Sequence, residues 1–185
     1  RLGIAFGQGF RFAALHASED DAGGPAAHTG SAVGRSIELW HRGGETASAV
    51  EEALQRTRAE AETFPLAEWD SVKTWTLLYA QDSKNRSVVL PELCEAEVKL
   101  LLDPIPEDPV KEKIEVIGHV DQIRRVNGVH YVWDLKSGRP SGMEMCNLYA
   151  WQLAAYALAC TATWGFIVMP GGIIRLRSYE GKTPS

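Results

Sequence analysis

The fold class this sequence predicts is α/β, a central mixed β-sheet flanked by helices, and three observations predict it. Apolar residues recur at helical spacing between 31 and 81. From 86 to 136 the chain changes to short apolar runs separated by turn residues. A second helical stretch, 143–160, then stands between those runs and two more at 164–169 and 173–179.

Taken in order, residues 1–29 are rich in Gly and Ala and include Gly23-Gly24-Pro25, which reads as a poorly defined N-terminal segment ending in a loop. Val33, Ile37 and Trp40 give 31–41 one apolar face, and Gly43-Gly44 stops that helix. Residues 46–63 are rich in Ala, Glu, Leu and Arg. Leu66, Trp69, Val72 and Tyr79 then pattern 66–81 as a further helix, with Pro65 at the junction. These two make a helical insertion at about 46–81. Strands are expected at 86–90, 93–102, 113–126 and 129–136, with a Pro-rich loop over 103–109. A chain of 185 residues suits one domain, 1–185, able to bury about 70% of its unfolded surface.

Composition narrows the function classes. A net charge of −5 argues against coating nucleic acid by bulk electrostatics, because that affinity comes from Lys and Arg on phosphates. Basic residues gather instead around 124–139 (Arg124, Arg125, Lys136, Arg139), with Arg175 and Arg177 later. Cys94, Cys146 and Cys160 form no CxxC pair, so a zinc ribbon or iron–sulfur cluster lacks its spacing; they read as reduced core thiols. No apolar run approaches the roughly 20 residues of a membrane span, and no secretory leader opens the chain, so a soluble, cytoplasmic protein is expected. Residues 24–31 lack the lysine of a phosphate-binding loop, and no Gly-x-Ser-x-Gly elbow occurs, so neither nucleotide hydrolysis nor acyl transfer is expected. Trp69, Trp75 and Trp164 read as core residues rather than base-stacking platforms.

The chemistry lies between 118 and 136. Asn127-Gly128 between two strand-like runs is a strong hairpin signal, since a type I′ turn requires positive φ at both central residues. With Val126 facing Val129, Asp121 falls opposite Asp134. Alternation adds Lys136 to that face and sets His119 opposite it. Carboxylates opposed across a hairpin, about 5 Å apart at Cβ, repel unless something positive lies between them. Two carboxylates and a main-chain carbonyl such as that of Leu135 suit Mg²⁺ or Mn²⁺, and an ion there with Lys136 beside it suits phosphodiester hydrolysis. A surface hairpin with a cross-strand salt bridge is the plain alternative. Glu95 and Glu97 stand on the preceding strand, where alternation does not decide which faces the site.

Gly118-His119-Val120-Asp121, the short hairpin, Asp134-Leu135-Lys136-Ser137-Gly138, and Tyr149 with Gln152-Leu153-Ala154-Ala155-Tyr156 together resemble the RecB-like branch of the PD-(D/E)XK nucleases. The resemblance covers roughly 30–41 and 115–170. It implies a restriction-endonuclease-like core, Asp121 and Asp134 as metal ligands, Lys136 as the catalytic lysine, and Gln152 and Tyr156 as active-site or DNA-contacting residues. Members of that branch open with Gly-x-x-x-His-x-x-x-Glu, whose histidine binds metal. Gly30 and Glu38 fit the pattern here, but Gly34 stands at the histidine position. Glu38 is the substitute ligand expected, or else a solvated helix residue, and His41 lies one turn further along.

The expected function is therefore Mg²⁺- or Mn²⁺-dependent cleavage of DNA as a RecB-like exonuclease in recombination, repair or phage DNA processing. Arg124, Arg139, Tyr149, Gln152 and Tyr156 are the expected DNA contacts. A homo-oligomer or a recombination partner protein is the further partner expected. The alternatives are a catalytically impaired nucleic-acid-binding or assembly module on the same fold, and a restriction-type endonuclease.

Overall fold

The computed structural model describes residues 24–86, 88–103, 114–136 and 142–176, with the side chains of 114 and 142–148 outside the description. Helix α1 runs Pro25–Arg42. It begins at Pro25 rather than at 31, because Gly24 caps it and proline at the first helical position has the right φ and no N–H to leave unpaired. Residues 25–29, expected as loop, are thus helical. Helix α2 (Ala47–Ala59) starts at Thr46, whose hydroxyl accepts the Ala49 N–H at 3.1 Å. Helix α3 spans Trp69–Gln81. Apolar faces of the three meet in one core that includes Val33, Ile37, Trp40, Val50, Val72 and Tyr79. Buried hydroxyls tie them together: Ser36 donates to Thr57 Oγ1 at 3.0 Å, and Thr29 Oγ1 accepts the Glu68 N–H at 2.9 Å.

The sheet is divided where one mixed sheet was expected. Strand β1 (Ala96–Leu102) pairs antiparallel with β2 (Ile114–Val120), while β3 (Gln122–Val126), β4 (Val129–Lys136) and β5 (Val168–Arg175) form a separate mixed sheet. The run expected as one strand over 113–126 bends at Asp121, leaving β1 as the partner of its first half and β4 of its second. At the bend the Asp121 carbonyl accepts the Glu95 N–H at 3.2 Å. The segment expected as a strand at 86–90 makes only an isolated bridge, Val89 to Arg124.

Asn127 and Gly128 take φ of 50° and 80°, and Val126 pairs with Val129, as the hairpin requires. Helix α4, Gly142–Trp164, then crosses to β5, which lies parallel to β4. The two strands expected around Gly171-Gly172 are one strand. A Cβ at either glycine would come within 2.8 Å of a Trp133 ring atom, so the glycines let the extended chain pass over that indole rather than turn it. Leu153, Ala157 and Cys160 of α4 pack with Val98, Val120, Ile123 and Val132 as a second core. Trp75 is buried, and Trp164 stacks on Phe166 with 5.8 Å between centroids. Trp69 lies under the Arg58 guanidinium at 4.4 Å. Cys94 and Cys160 are buried free thiols, while Cys146 falls outside the described side chains. No helix among the described residues is long and apolar enough to cross a membrane.

Candidate active site

The hairpin ladder ends at Gln122 opposite Trp133, so Asp121 and Asp134 are the next residues along it. The Asp121 side chain turns across and accepts the Leu135 N–H through Oδ2. Asp134 is 2% exposed and its Oδ2 is ion-paired with Lys136 Nζ at 2.7 Å. Helix α4 supplies the opposite wall. Gln152 donates through Nε2 to Asp134 Oδ1 at 3.3 Å, and the same nitrogen lies 3.3 Å from the Tyr156 hydroxyl. The Tyr149 ring stands 5.6 Å from Lys136 Nζ. Asp121, Asp134, Lys136, Gln152, Tyr156 and Tyr149 thus come together as expected.

Glu38 is 5% exposed and borders the site beside Glu95, with its two carboxylate oxygens engaged by Arg35 at 2.8 Å and Arg42 at 2.9 Å. Other expected members lie elsewhere. His41 bonds Glu45 at 2.8 Å and the Tyr79 hydroxyl at 2.9 Å on the helical side of the molecule. Arg124, expected on DNA, is 5% exposed and donates to Tyr79, Asn85 and Gln122, because alternation from the bend turns residue 124 to the same side as 122. His119 is exposed and pairs with Glu97 of β1, since β2 leaves β4 at the bend. Arg139 falls outside the described residues.

Of the two glutamates left undecided by alternation, Glu95 is the one at the site. It sits at φ 52°, a left-handed conformation that costs free energy for a residue with a side chain. Its Oε1 would lie 3.3 Å from a Cβ built on Gly34, so its carboxylate fills the space toward which a side chain at 34 would point. Glu97 remains outside, exposed, with Lys99 at 3.4 Å.

Electrostatics mark these acids as under-compensated. Burial, then Asp134, then Glu95 push the Asp121 carboxyl up to about 8, against the Leu135 N–H that favours its charged form. Burial also raises Asp134, despite Lys136. Burial, Glu38 and Asp134 raise Glu95 to about 7. Burial alone would lower Lys136, but Asp134 and Asp121 beside it hold its ammonium above the ordinary value.

Among the described residues no three His, Cys, Asp or Glu side chains form a ready-made metal cage. The donor set nevertheless fits a hard divalent cation. It offers oxygens only, and it brings Asp121, Asp134 and Glu95 close enough to raise one another, with Asp134 Oδ2 buried beside Lys136.

A family model for the PD-(D/E)XK nuclease superfamily matches residues 9–184. The chain belongs to that superfamily. No curated protein matches it. The helices and two sheets, one of them mixed, agree with the restriction-endonuclease-like core of a PD-(D/E)XK protein. Members of the superfamily are generally nucleolytic hydrolases that act on nucleic acid and typically use divalent metals.

Proposed function

We propose that the protein is a metal-dependent deoxyribonuclease, a RecB-like exonuclease acting in recombination, repair or phage DNA processing. The observation that carries this reading is the meeting of half-buried Asp121 and buried Asp134 beside Lys136, with Gln152 and Tyr156 facing them from α4.

Asp121, Asp134 and Glu95, with the Leu135 main chain, would hold Mg²⁺ or Mn²⁺. A divalent ion there supplies Lewis-acid stabilisation of phosphate charge and lowers the pKa of water. Lys136, kept protonated by the acids around it, meets the charge that grows on the phosphate during displacement. Gln152 orients Asp134 and Tyr156 together through one amide. Burial raises the Tyr156 hydroxyl, so it stays protonated and serves as a donor to a phosphate oxygen. Tyr149 flanks the ammonium and narrows the directions it can take. Exposed Arg125 and Arg175 supply the local positive charge that an acidic chain needs to approach DNA.

The test is cleavage of end-labelled linear single- and double-stranded DNA beside closed circles, in Mg²⁺, Mn²⁺ or chelator. The expected result is loss of linear DNA with metal, sparing of circles, and no cleavage with chelator. Cut circles would make the protein an endonuclease. Wild-type cleavage by Lys136→Ala or Asp121→Ala would remove the assignment altogether. Gly34 at the place of the family histidine favours a second reading, a nucleic-acid-binding or assembly module without turnover. DNA binding that chelator leaves unchanged, with no cleavage under either metal, would select it.

A further inference from the structure

Gly118 lies in β2 opposite Val98, with Val116 and Val120 two residues away on the same face, the face that packs against α4. Glycine in a strand interior weakens it, so its presence there asks for a reason. The backbone is not that reason, because Gly118 is absent from the residues with positive φ and its conformation is open to any side chain. The reason is space. A Cβ built on Gly118 would lie 2.7 Å from Tyr156 Cε1, 3.4 Å from Cδ1 and 3.7 Å from Cζ. The tyrosine ring therefore rests on the strand backbone in a notch between branched residues, and its hydroxyl is the one 3.3 Å from Gln152 Nε2.

We propose that Gly118 is a positioning residue of the active site: the absent side chain admits the Tyr156 ring, and through it sets the hydroxyl and Gln152 against Asp134. This rests on the nuclease reading for its catalytic consequence, though not for the contact itself. A methyl group at 118 forces the ring away from the strand, and α4 is anchored on either side of the ring by Leu153, Ala157 and Cys160 in the core. The ring has to pivot, carrying the hydroxyl away from Gln152.

The experiment is a double-mutant cycle between Gly118→Ala and Tyr156→Ala, read both as melting temperature and as cleavage of linear DNA in Mn²⁺. Alone, Gly118→Ala is expected to lower the cleavage rate about tenfold to a hundredfold, as displacements on the order of 1 Å at an active site do. In the Tyr156→Ala background, where no ring fills the notch, it should change the rate less than about twofold and no longer lower the melting temperature. Equal losses in both backgrounds, or wild-type cleavage by Gly118→Ala, would overturn the proposal. If the wild-type protein cleaves nothing, the nuclease reading and the catalytic half of this proposal fall together. The melting cycle then still decides the contact, additive melting effects refuting it.

Discussion

Asp121 and Gln122 are neighbours in sequence, yet they look to opposite sides of the sheet into environments built on opposite terms. On the Gln122 side, Tyr79, Asn85, Arg124 and His41 form a buried polar network. Gln122 Nε2 donates to the Tyr79 hydroxyl at 2.9 Å, Arg124 reaches Tyr79 at 3.2 Å and Asn85 at 3.0 Å, and His41 closes the other end on Glu45. On the Asp121 side, Asp121, Asp134 and Glu95 crowd together, with Lys136 at 2.7 Å from Asp134 Oδ2. The first arrangement is what a fold needs when it buries polar groups. The second crowds acids against one another at a cost that a bound cation would relieve, and such a region signals function.

That comparison can be broken by mutation, and the largest expected effect is on the unmet side. Lys136→Ala should lower cleavage of linear DNA by about two to three orders of magnitude, and it should also lower the melting temperature, because Asp134 loses its ion-pair partner. The rate, measured on protein shown to be folded at the assay temperature, checks it; wild-type cleavage by the folded variant would remove Lys136 from the reaction. Tyr79→Phe should spare the rate. By stripping one hydroxyl from Gln122, Arg124 and His41 it should cost about 1–3 kcal/mol of stability by urea titration, with the cleavage rate of the folded protein preserved.

The third effect is smaller and opposite in sign. Asp121→Asn removes one of the repelling buried acids, so without metal the variant should be more stable than wild type by roughly 0.5–2 kcal/mol, although inactive. Destabilisation in chelator would mean that the acids are compensated after all. The smallest effect is a pH dependence on the network side. Burial, against the pull of Glu45, holds the His41 imidazole below its ordinary pKa, so the unfolded chain takes up a proton that the folded one refuses. The stability contributed by the neutral ring is complete above about pH 6.5 and is lost as pH falls below it. Comparing the pH profile of unfolding with that of His41→Gln isolates this contribution.

Much of the unmet side was legible in sequence because the information is local. Asn127-Gly128 fixes the hairpin register, and the register alone brings Asp121 to Asp134 and adds Lys136. The five-residue span from Gln152 to Tyr156 puts both side chains on one helical face. What was not legible depends on contacts between distant segments. The bend at Asp121 follows from Glu95 and β1 claiming the first half of the strand, which moves His119 away. Glu38 is taken by Arg35 and Arg42, and Arg124 by residues of α3 and the turn after it. Glu95 reaches the site from a left-handed turn, a conformation that its residue type does not advertise.

The most direct measurement is titration of Mn²⁺ into metal-free protein, followed by the electron paramagnetic resonance signal of the free ion. Wild type should take up Mn²⁺ at millimolar concentration or below, and Asp121→Asn/Asp134→Asn should not, while both remain folded by circular dichroism. Equal uptake by the two proteins, or none by wild type, would contradict a cation site built on this hairpin.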